Sequence, residues 1–508
     1  MHYQINTKRK IAEISEMIYG SFLEHHHRQI YGGVYDPSSP FADEDGFRED
    51  VMEAIRELKV PVIRWPGGCF VDDYHWYKGV GSKRVPSFDK NWKVEEPNTF
   101  GTDEFVKFCR KVGAEPYLCT NANALPEEAS DWVEYCNLLE DGEWAKLRIA
   151  NGFQEPHHVK YWSIGNENYY KFEVAGMGVE EWLQYSERTA KMIKRVDPDV
   201  ELTAALHCDN LEWTTRTLNE LAPYLDWVSV HGYWDFLYFG NLGFHETSDE
   251  FHSKNGKLAG YETCMKRVSA IPDNINRMRG LLAAMKLDKK IKIAFDEWNL
   301  RGWFHPYIIE GHPNRKNTYL PYRDENDNNA TYTMADAVFS ACFLNACARN
   351  ADIVGMANFS PLVNTRGAIF THEKGLVKRS TYYVFDLYTK HFGDVAVDIW
   401  DSDPECIALD GKQVEALDVA ASMKDENTVC VAVSNKDPEN SHDIYLKFDE
   451  TFLPATYSVY TVTGESKDSY NDVDRTQILP SEERDRLFDS DGKICLKPHS
   501  VNIIEVKR

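Results

Sequence analysis

Lys160–Asn168, K-Y-W-S-I-G-N-E-N, is the stretch whose reading decides the fold. An aromatic and β-branched run stops at Gly165 and then presents Asn166 and Glu167. Ile291–Asn299, I-K-I-A-F-D-E-W-N, has the same grammar and delivers Glu297 at the end of an apolar run. Two carboxylates at the ends of two separate strand-like runs suggest acid/base chemistry on a shared rim. The rest of the chain has to supply that rim.

It does so by alternation. Upstream, Met17–Phe22 reads as a buried strand, Glu49–Leu58 as a helix with Val51, Ile55 and Leu58 on one face, and Val60–Trp65 as a strand closed by Pro66-Gly67-Gly68. Thr102 is placed to cap a helix over Asp103–Val112 that stops at Gly113. A strand at Pro116–Cys119 and a helix at Pro126–Leu139 lead into the opening stretch. Downstream come a helix at Val179–Val196, a strand at Val200–Ala205, a helix at Trp213–Leu221 and a strand at Trp227–His231. Helical Ile271–Met285 precedes Ile291–Glu297, and helical Thr333–Asn350 precedes a strand at Ile353–Asn358. The strands are continuous apolar runs, as parallel strands buried on both faces should be. Eight such units predict an α/β fold, a (β/α)8 TIM barrel with insertions. A doubly wound open sheet is the competitor, and no G-x-G-x-x-G follows any strand to support it.

After Tyr388 the pattern changes to short strands separated by Asn, Asp, Gly and Pro turns: Gln413–Ser422, Thr428–Ser434, Asp443–Phe448, Thr456–Val462, Ile494–Leu496 and Val501–Val506. This predicts a C-terminal all-β sandwich, jelly-roll-like, joined by the N-terminal strand. The expected division is 1–16 with the sandwich, 17–388 as the barrel and 389–508 as the sandwich itself.

Composition narrows the function. A chain of 508 residues exceeds one ordinary core, and 43% hydrophobic with 27% charged residues is globular. The net charge of −24 excludes nucleic acid and anionic membrane surfaces as partners and favours a neutral or cationic substrate. Met1–Lys10 is polar and basic, and no run approaches the roughly 18 apolar residues of a membrane span. The 11 cysteines are scattered without a C-x-x-C pair, which fits free thiols in a reducing cytoplasm. His25-His26-His27 invites a metal, but neighbouring side chains on an extended segment point alternately and no other ligand cluster is evident, so no metal and no cofactor is expected. His157-His158 reads as a loop before the fourth strand.

Catalytic groups of such a barrel sit at the C-terminal ends of strands, here the fourth for Glu167 and the seventh for Glu297. Paired carboxyls flanking a bond are the apparatus of glycoside hydrolysis, one protonating the leaving oxygen and the other attacking or activating water. The motifs G-S-F-L-E-H (Gly20–His25), Y-G-G-V-Y-D-P (Tyr31–Pro37), R-W-P-G-G (Arg64–Gly68), Y-H-W (Tyr74–Trp76), G-N-E, H-G-Y (His231–Tyr233), D-E-W-N, M-A-N (Met356–Asn358) and Y-Y-V-F-D-L-Y (Tyr382–Tyr388) occur in order along nearly the whole chain. In this the chain resembles the glycoside hydrolase family 51 α-L-arabinofuranosidases.

The resemblance implies a retaining, exo-acting enzyme on arabinoxylan- or arabinan-derived oligosaccharides, with Glu167 as general acid/base and Glu297 as nucleophile. It implies that Glu24 binds sugar hydroxyls, Arg64 steadies the nucleophile, Asn166 binds the 2-hydroxyl, and Tyr233 and His231 orient Glu297. In the retaining geometry the carboxyls stand ~5–5.5 Å apart. It also implies a homo-oligomer, often a hexamer. Two positions depart from the commonest pattern: Cys69 stands where Asn is usual and Pro361 where Gln is usual. Cys69 is read equally as part of the sugar-binding wall or as a small buried filler. Insertions at Lys78–Phe100, Trp234–Glu262 and Arg301–Tyr332 carry Trp92, Tyr238, Phe239, Trp303 and Tyr319, expected to shape the leaving-group side. The alternatives are another retaining glycosidase, such as an endo-β-glucanase or β-xylosidase, and a non-catalytic carbohydrate-binding protein.

Overall fold

The computed structural model describes residues 1–237, 259–303, 327–489 and 491–508. Eight parallel strands form one sheet: Gly20–Phe22, Val62–Trp65, Glu115–Thr120, Tyr161–Ile164, Glu201–Ala204, Trp227–Leu237, Lys292–Trp303 and Val354–Phe359. Pairing runs from the fifth strand back through the first to the eighth, seventh and sixth. Asp226 bridges the remaining seam between fifth and sixth: its backbone N–H donates to the Leu202 carbonyl and its carboxylate accepts from the Leu202 N–H, both at 3.0 Å. The expected (β/α)8 TIM barrel is therefore present and nearly closed.

Inward-facing Val62, Tyr117, Tyr161, Ala294 and Met356 fill the barrel, while the opposite faces of the strands pack on the helices in the main core. The helices at Glu49–Leu58 and Val179–Val196 fall where the apolar spacing puts them.

Three local readings need correcting. Glu16–Tyr19 is a 3-10 turn, capped by the Ser15 side chain on the Met17 N–H, so the first strand begins only at Gly20. Gly101, not Thr102, caps the next helix, and the Glu104 carboxylate closes back on its N–H at 2.8 Å. Gln413–Ser422 is broken at Ala416, whose backbone bonds Glu405 and Lys436, into Lys412–Glu415 and Leu417–Asp425.

The C-terminal sheet has nine strands, one of them the N-terminal His2–Glu13, which lies antiparallel to Val395–Asp401 and parallel to His442–Phe448. Its core gathers Tyr3, Ile5, Val397, Val431, Ile444 and Ile504 among others. The helix Met334–Arg349 is buried nearly throughout. Its Asn345 and Arg349 bind the Asp418 carboxylate of the C-terminal sheet at 2.9 Å each, so one helix serves both the barrel and the sheet.

Candidate active site

Local backbone chemistry aims the two carboxylates. After Ile164 the chain turns through Gly165 at φ 69° and Glu167 at φ 49°. A Cβ on Gly165 would meet the Asn168 Oδ1 at 2.0 Å, so glycine is needed there. Glu167 itself sits in the left-handed region, an unfavourable place for a non-glycine residue and common at functional sites. On the seventh strand the register slips, Ala294 pairing with Ser229 but Glu297 with His231. In a regular strand Asp296 and Glu297 would face opposite ways; the slip lets both reach the barrel mouth. Asp296 accepts from Ser229 Oγ at 2.6 Å and Tyr117 Oη at 3.0 Å, directly beneath Glu297.

The carboxylate oxygens of Glu167 and Glu297 come within 4.8 Å of each other, with a His231 ring nitrogen inside the same span. Arg64 Nη1 donates to Glu297 Oε2 at 2.9 Å and Nη2 to Asn166 Oδ1 at 2.7 Å, with Asp296 3.7 Å from Nε. With its oxygen held, Asn166 has a buried Nδ2 without an acceptor among the described residues. The Tyr233 hydroxyl donates to Glu297 Oε1 at 2.6 Å and lies 2.8 Å from Ser360 Oγ. His231 differs from expectation: Nδ1 lies 2.8 Å from Glu167 Oε1 and 3.8 Å from Glu297, so its hydrogen bond orients the Glu167 carboxyl. Burial opposes the charge of His231, but Glu297, Asp296 and Glu167 outweigh it and push the imidazole up to about 10. Burial also raises the Asp296 carboxyl, yet His231, Arg64 and Ser229 bring it down to about 2. This ion pair braces the floor of the site.

Glu24 accepts from the Phe70 N–H and the Trp92 indole N–H, each at 3.0 Å. Burial, then the charge of Glu297, pushes it up to about 8, which makes it a neutral hydrogen-bonding acid at neutral pH. The histidine triplet holds this wall in place. His25 Nδ1 meets Glu96 Oε2 at 3.0 Å, His26 packs on Trp92 with ring centroids 4.0 Å apart, and His27 Nε2 meets Asp327 at 2.8 Å. Three consecutive side chains thus reach three different partners. Trp92, expected on the leaving-group side, is buried against Glu24 instead. Tyr238, Phe239, Tyr319 and the Trp303 side chain lie outside the described residues.

The half-buried Cys69 thiol donates to Glu173 Oε1 at 2.9 Å. Burial first, then Glu173, Glu24 and Glu167, hold that thiol far above the usual range. It is a neutral donor, not a nucleophile. Pro361 lies buried behind Ser360 and brings no donor.

The family models for the α-L-arabinofuranosidase 1 domain and the α-L-arabinofuranosidase C-terminal domain match residues 54–236 and 296–500. The α-L-arabinofuranosidase C of Emericella nidulans is 32% identical over 527 residues, spanning 99% of this chain and 97% of that protein. The structure of the thermostable GH51 α-L-arabinofuranosidase from Thermotoga petrophila RKU-1 superposes with a TM-score of 0.81 at 31% identity, covering 100% of both chains. The chain belongs to glycoside hydrolase family 51. An intracellular exo-α-(1→5)-L-arabinofuranosidase of Halalkalibacterium halodurans is 32% identical over 84% of this family 51 chain and 83% of that protein.

Several buried carboxyls of this family 51 site were not singled out from sequence. Asp296 stands in the quoted D-E-W-N, but strand alternation assigns it to the wrong face. Glu173 lies in a loop and Asp72 in the short 3-10 turn Cys69–Asp73, with no periodicity to flag either. Burial raises both carboxyls, and for Glu173 the neighbouring Asp72 and Glu167 add to it. Two triads could in principle receive a cation, Glu167–His231–Glu297 and Cys69–Glu167–Glu173. Both are internally hydrogen-bonded, Glu167 with His231 and Glu173 with Cys69. A third, His207–Cys208–Asp209, has its histidine engaged by Tyr170 Oη at one nitrogen and by two backbone N–H groups at the other.

Replacing Tyr233 with Phe deletes a charge-assisted hydrogen bond to Glu297, a type that contributes about 1.5–3 kcal/mol. The expected result is a fall of about 10- to 100-fold in kcat with little change in thermal stability, measured on an aryl glycoside.

Proposed function

We propose that this chain is a retaining, exo-acting α-L-arabinofuranosidase that removes terminal arabinofuranosyl residues from arabinoxylan- or arabinan-derived oligosaccharides by double displacement. The observation that carries the reading is the approach of Glu167 and Glu297 to within 4.8 Å, oxygen to oxygen. Inverting enzymes hold their carboxyls ~6.5–9.5 Å apart to admit water between acid and sugar, whereas retaining ones stand closer. Glu297, fixed by Arg64 and Tyr233, attacks the anomeric carbon while Glu167 gives its proton to the departing oxygen. Glu167 then takes a proton from water, which attacks the glycosyl-enzyme and releases arabinose. Asn166 Nδ2 donates to the 2-hydroxyl, and Glu24 binds a further hydroxyl. The barrel, 17–388, is the catalytic unit in this reading, with 1–16 and 389–508 forming the second. A homo-oligomer, up to a hexamer, and a cytoplasmic location go with the family resemblance. Among the described residues no helix is long and apolar enough to cross a membrane.

The test is proton NMR of the first turnovers on 4-nitrophenyl α-L-arabinofuranoside, then rates on oligosaccharides differing only in linkage. The α-anomer of arabinose should form first; initial β-arabinose would overturn double displacement.

A further inference from the structure

Beyond Ser360 the chain folds back over the barrel mouth and carries one cation there, Arg366. Its carbonyl accepts from Asn299 Nδ2 at 3.2 Å, which fixes it beside the end of the seventh strand. The residue is only 7% exposed. The guanidinium carbon lies 5.7 Å from the centre of the Tyr233 ring, the tyrosine that holds Glu297. Its charge is also felt by Glu24 on the first strand.

The other deeply buried arginines all have acceptors. Arg148 donates to the carbonyls of Tyr135, Leu138, Leu139 and Phe153. Arg301 binds Asp235 and Asp336, and Arg379 binds Asn329, Thr365 and Gly367. Arg366 differs: its Nε and Nη1 are buried without an acceptor, and its guanidinium makes no ion pair among the described residues. Burying a guanidinium without acceptors is unfavourable. Tyr233 is engaged by Glu297 and Ser360, and Glu24 Oε1 by Phe70 and Trp92. A bound molecule would supply such an acceptor. The nearby Pro361 offers no donor of its own, so Arg366 is the strong donor of this wall.

We propose that Arg366 contacts the substrate, donating to the 3- or 5-hydroxyl oxygen of the bound arabinofuranosyl ring beside Glu24 and Tyr233. This assignment rests on the arabinofuranosidase reading above. The 2-hydroxyl falls to Asn166, whose unpartnered Nδ2 follows the fourth strand. The leaving group is addressed by Glu167 in the same turn, so a donor beside Tyr233 and Glu24 meets the sugar.

The test compares wild type with Arg366→Gln on 4-nitrophenyl α-L-arabinofuranoside and its 2-, 3- and 5-deoxy analogues, reading kcat/KM. The variant should lose about 10- to 100-fold on the parent glycoside, as for a hydrogen bond from a charged donor. The penalty for removing the 3- or the 5-hydroxyl, large in wild type, should nearly vanish in the variant, while the 2-deoxy penalty stays. Equal deoxy penalties in both proteins, or a collapse at the 2-position alone, would overturn the proposal, because a merely structural arginine lowers all rates together. If Arg366→Gln does not fold, Arg366→Lys is read on the same panel, since a point charge does not reproduce the planar donor set. A wild type inert towards the parent glycoside would instead overturn the arabinofuranosidase reading itself, and the assignment with it.

Discussion

Alanine at position 297 will reduce kcat by about 10⁴-fold or more on every arabinofuranoside, activated aryl glycosides included. The prediction follows from what surrounds the carboxylate. Arg64 and Tyr233 each hold one oxygen, at 2.9 and 2.6 Å, so the group is positioned for attack and not merely charged. Because the nucleophile acts whatever the leaving group is, good leaving groups will not rescue the variant. The fold should survive, since Arg64 keeps Asn166 at 2.7 Å and Asp296 at 3.7 Å when Glu297 is gone. Azide admitted into the vacated space should restore turnover and yield the β-glycosyl azide, the product of a single inversion. Turnover near that of wild type with an unchanged melting temperature would remove Glu297 from the mechanism.

Most of the barrel was legible because its signals are local and repeated. Apolar strands and amphipathic helices alternate at regular spacing, and Gly113 and Pro66-Gly67-Gly68 punctuate them. The elements that escaped reading lack such signals. Leu479–Leu487, L-P-S-E-E-R-D-R-L, is exposed along its whole length and is strand only because it pairs with Thr456–Thr463 at the sheet edge. Charged side chains are how such edges avoid further pairing. The helix Gly142–Ala150 also has no strong apolar face, burying only Ala145 and Arg148.

The site divides in the same way. Glu167 and Glu297 could be read because each follows an apolar run, and Arg64, Asn166, Glu24 and Tyr233 because they sit in the recognisable motifs around those runs. The sixth and seventh strands nevertheless continue past Tyr233 and Glu297. His231 was legible as a site residue but not as to its partner, because the bulge that decides whether it meets Glu167 or Glu297 is a property of strand register. Cys69 illustrates the limit. The sequence left it between sugar wall and inert filler, and its role turns on Glu173, 104 residues away and on a loop of the fourth strand. Arg366 is a lone charge in a loop, with nothing in sequence to separate it from a solvated one. Only burial without acceptors does that.

Alanine at position 167 will separate substrates by their leaving groups. On natural arabinosyl linkages, whose alkoxide leaves poorly, kcat/KM should fall by about 10²–10⁴-fold, the range that general acid catalysis supplies. On an arabinofuranoside with a strongly acidic phenol, the first displacement needs no proton and should proceed almost unchanged. The second displacement still needs a base to draw a proton from water, so the glycosyl-enzyme on Glu297 should accumulate and phenol release should show a burst. Azide needs no such base, and it should relieve the block and give the α-glycosyl azide, opposite in configuration to the product from the Glu297 variant. The geometry makes this pair of outcomes specific to the carboxyl. His231 Nδ1 engages Glu167 Oε1 at 2.8 Å, which leaves Oε2 to address the leaving oxygen. Losing the carboxyl removes that address without touching the hydrogen bonds of Glu297. Equal losses on natural and activated substrates would show that the variant had damaged the site as a whole, and Glu167 would not be the acid.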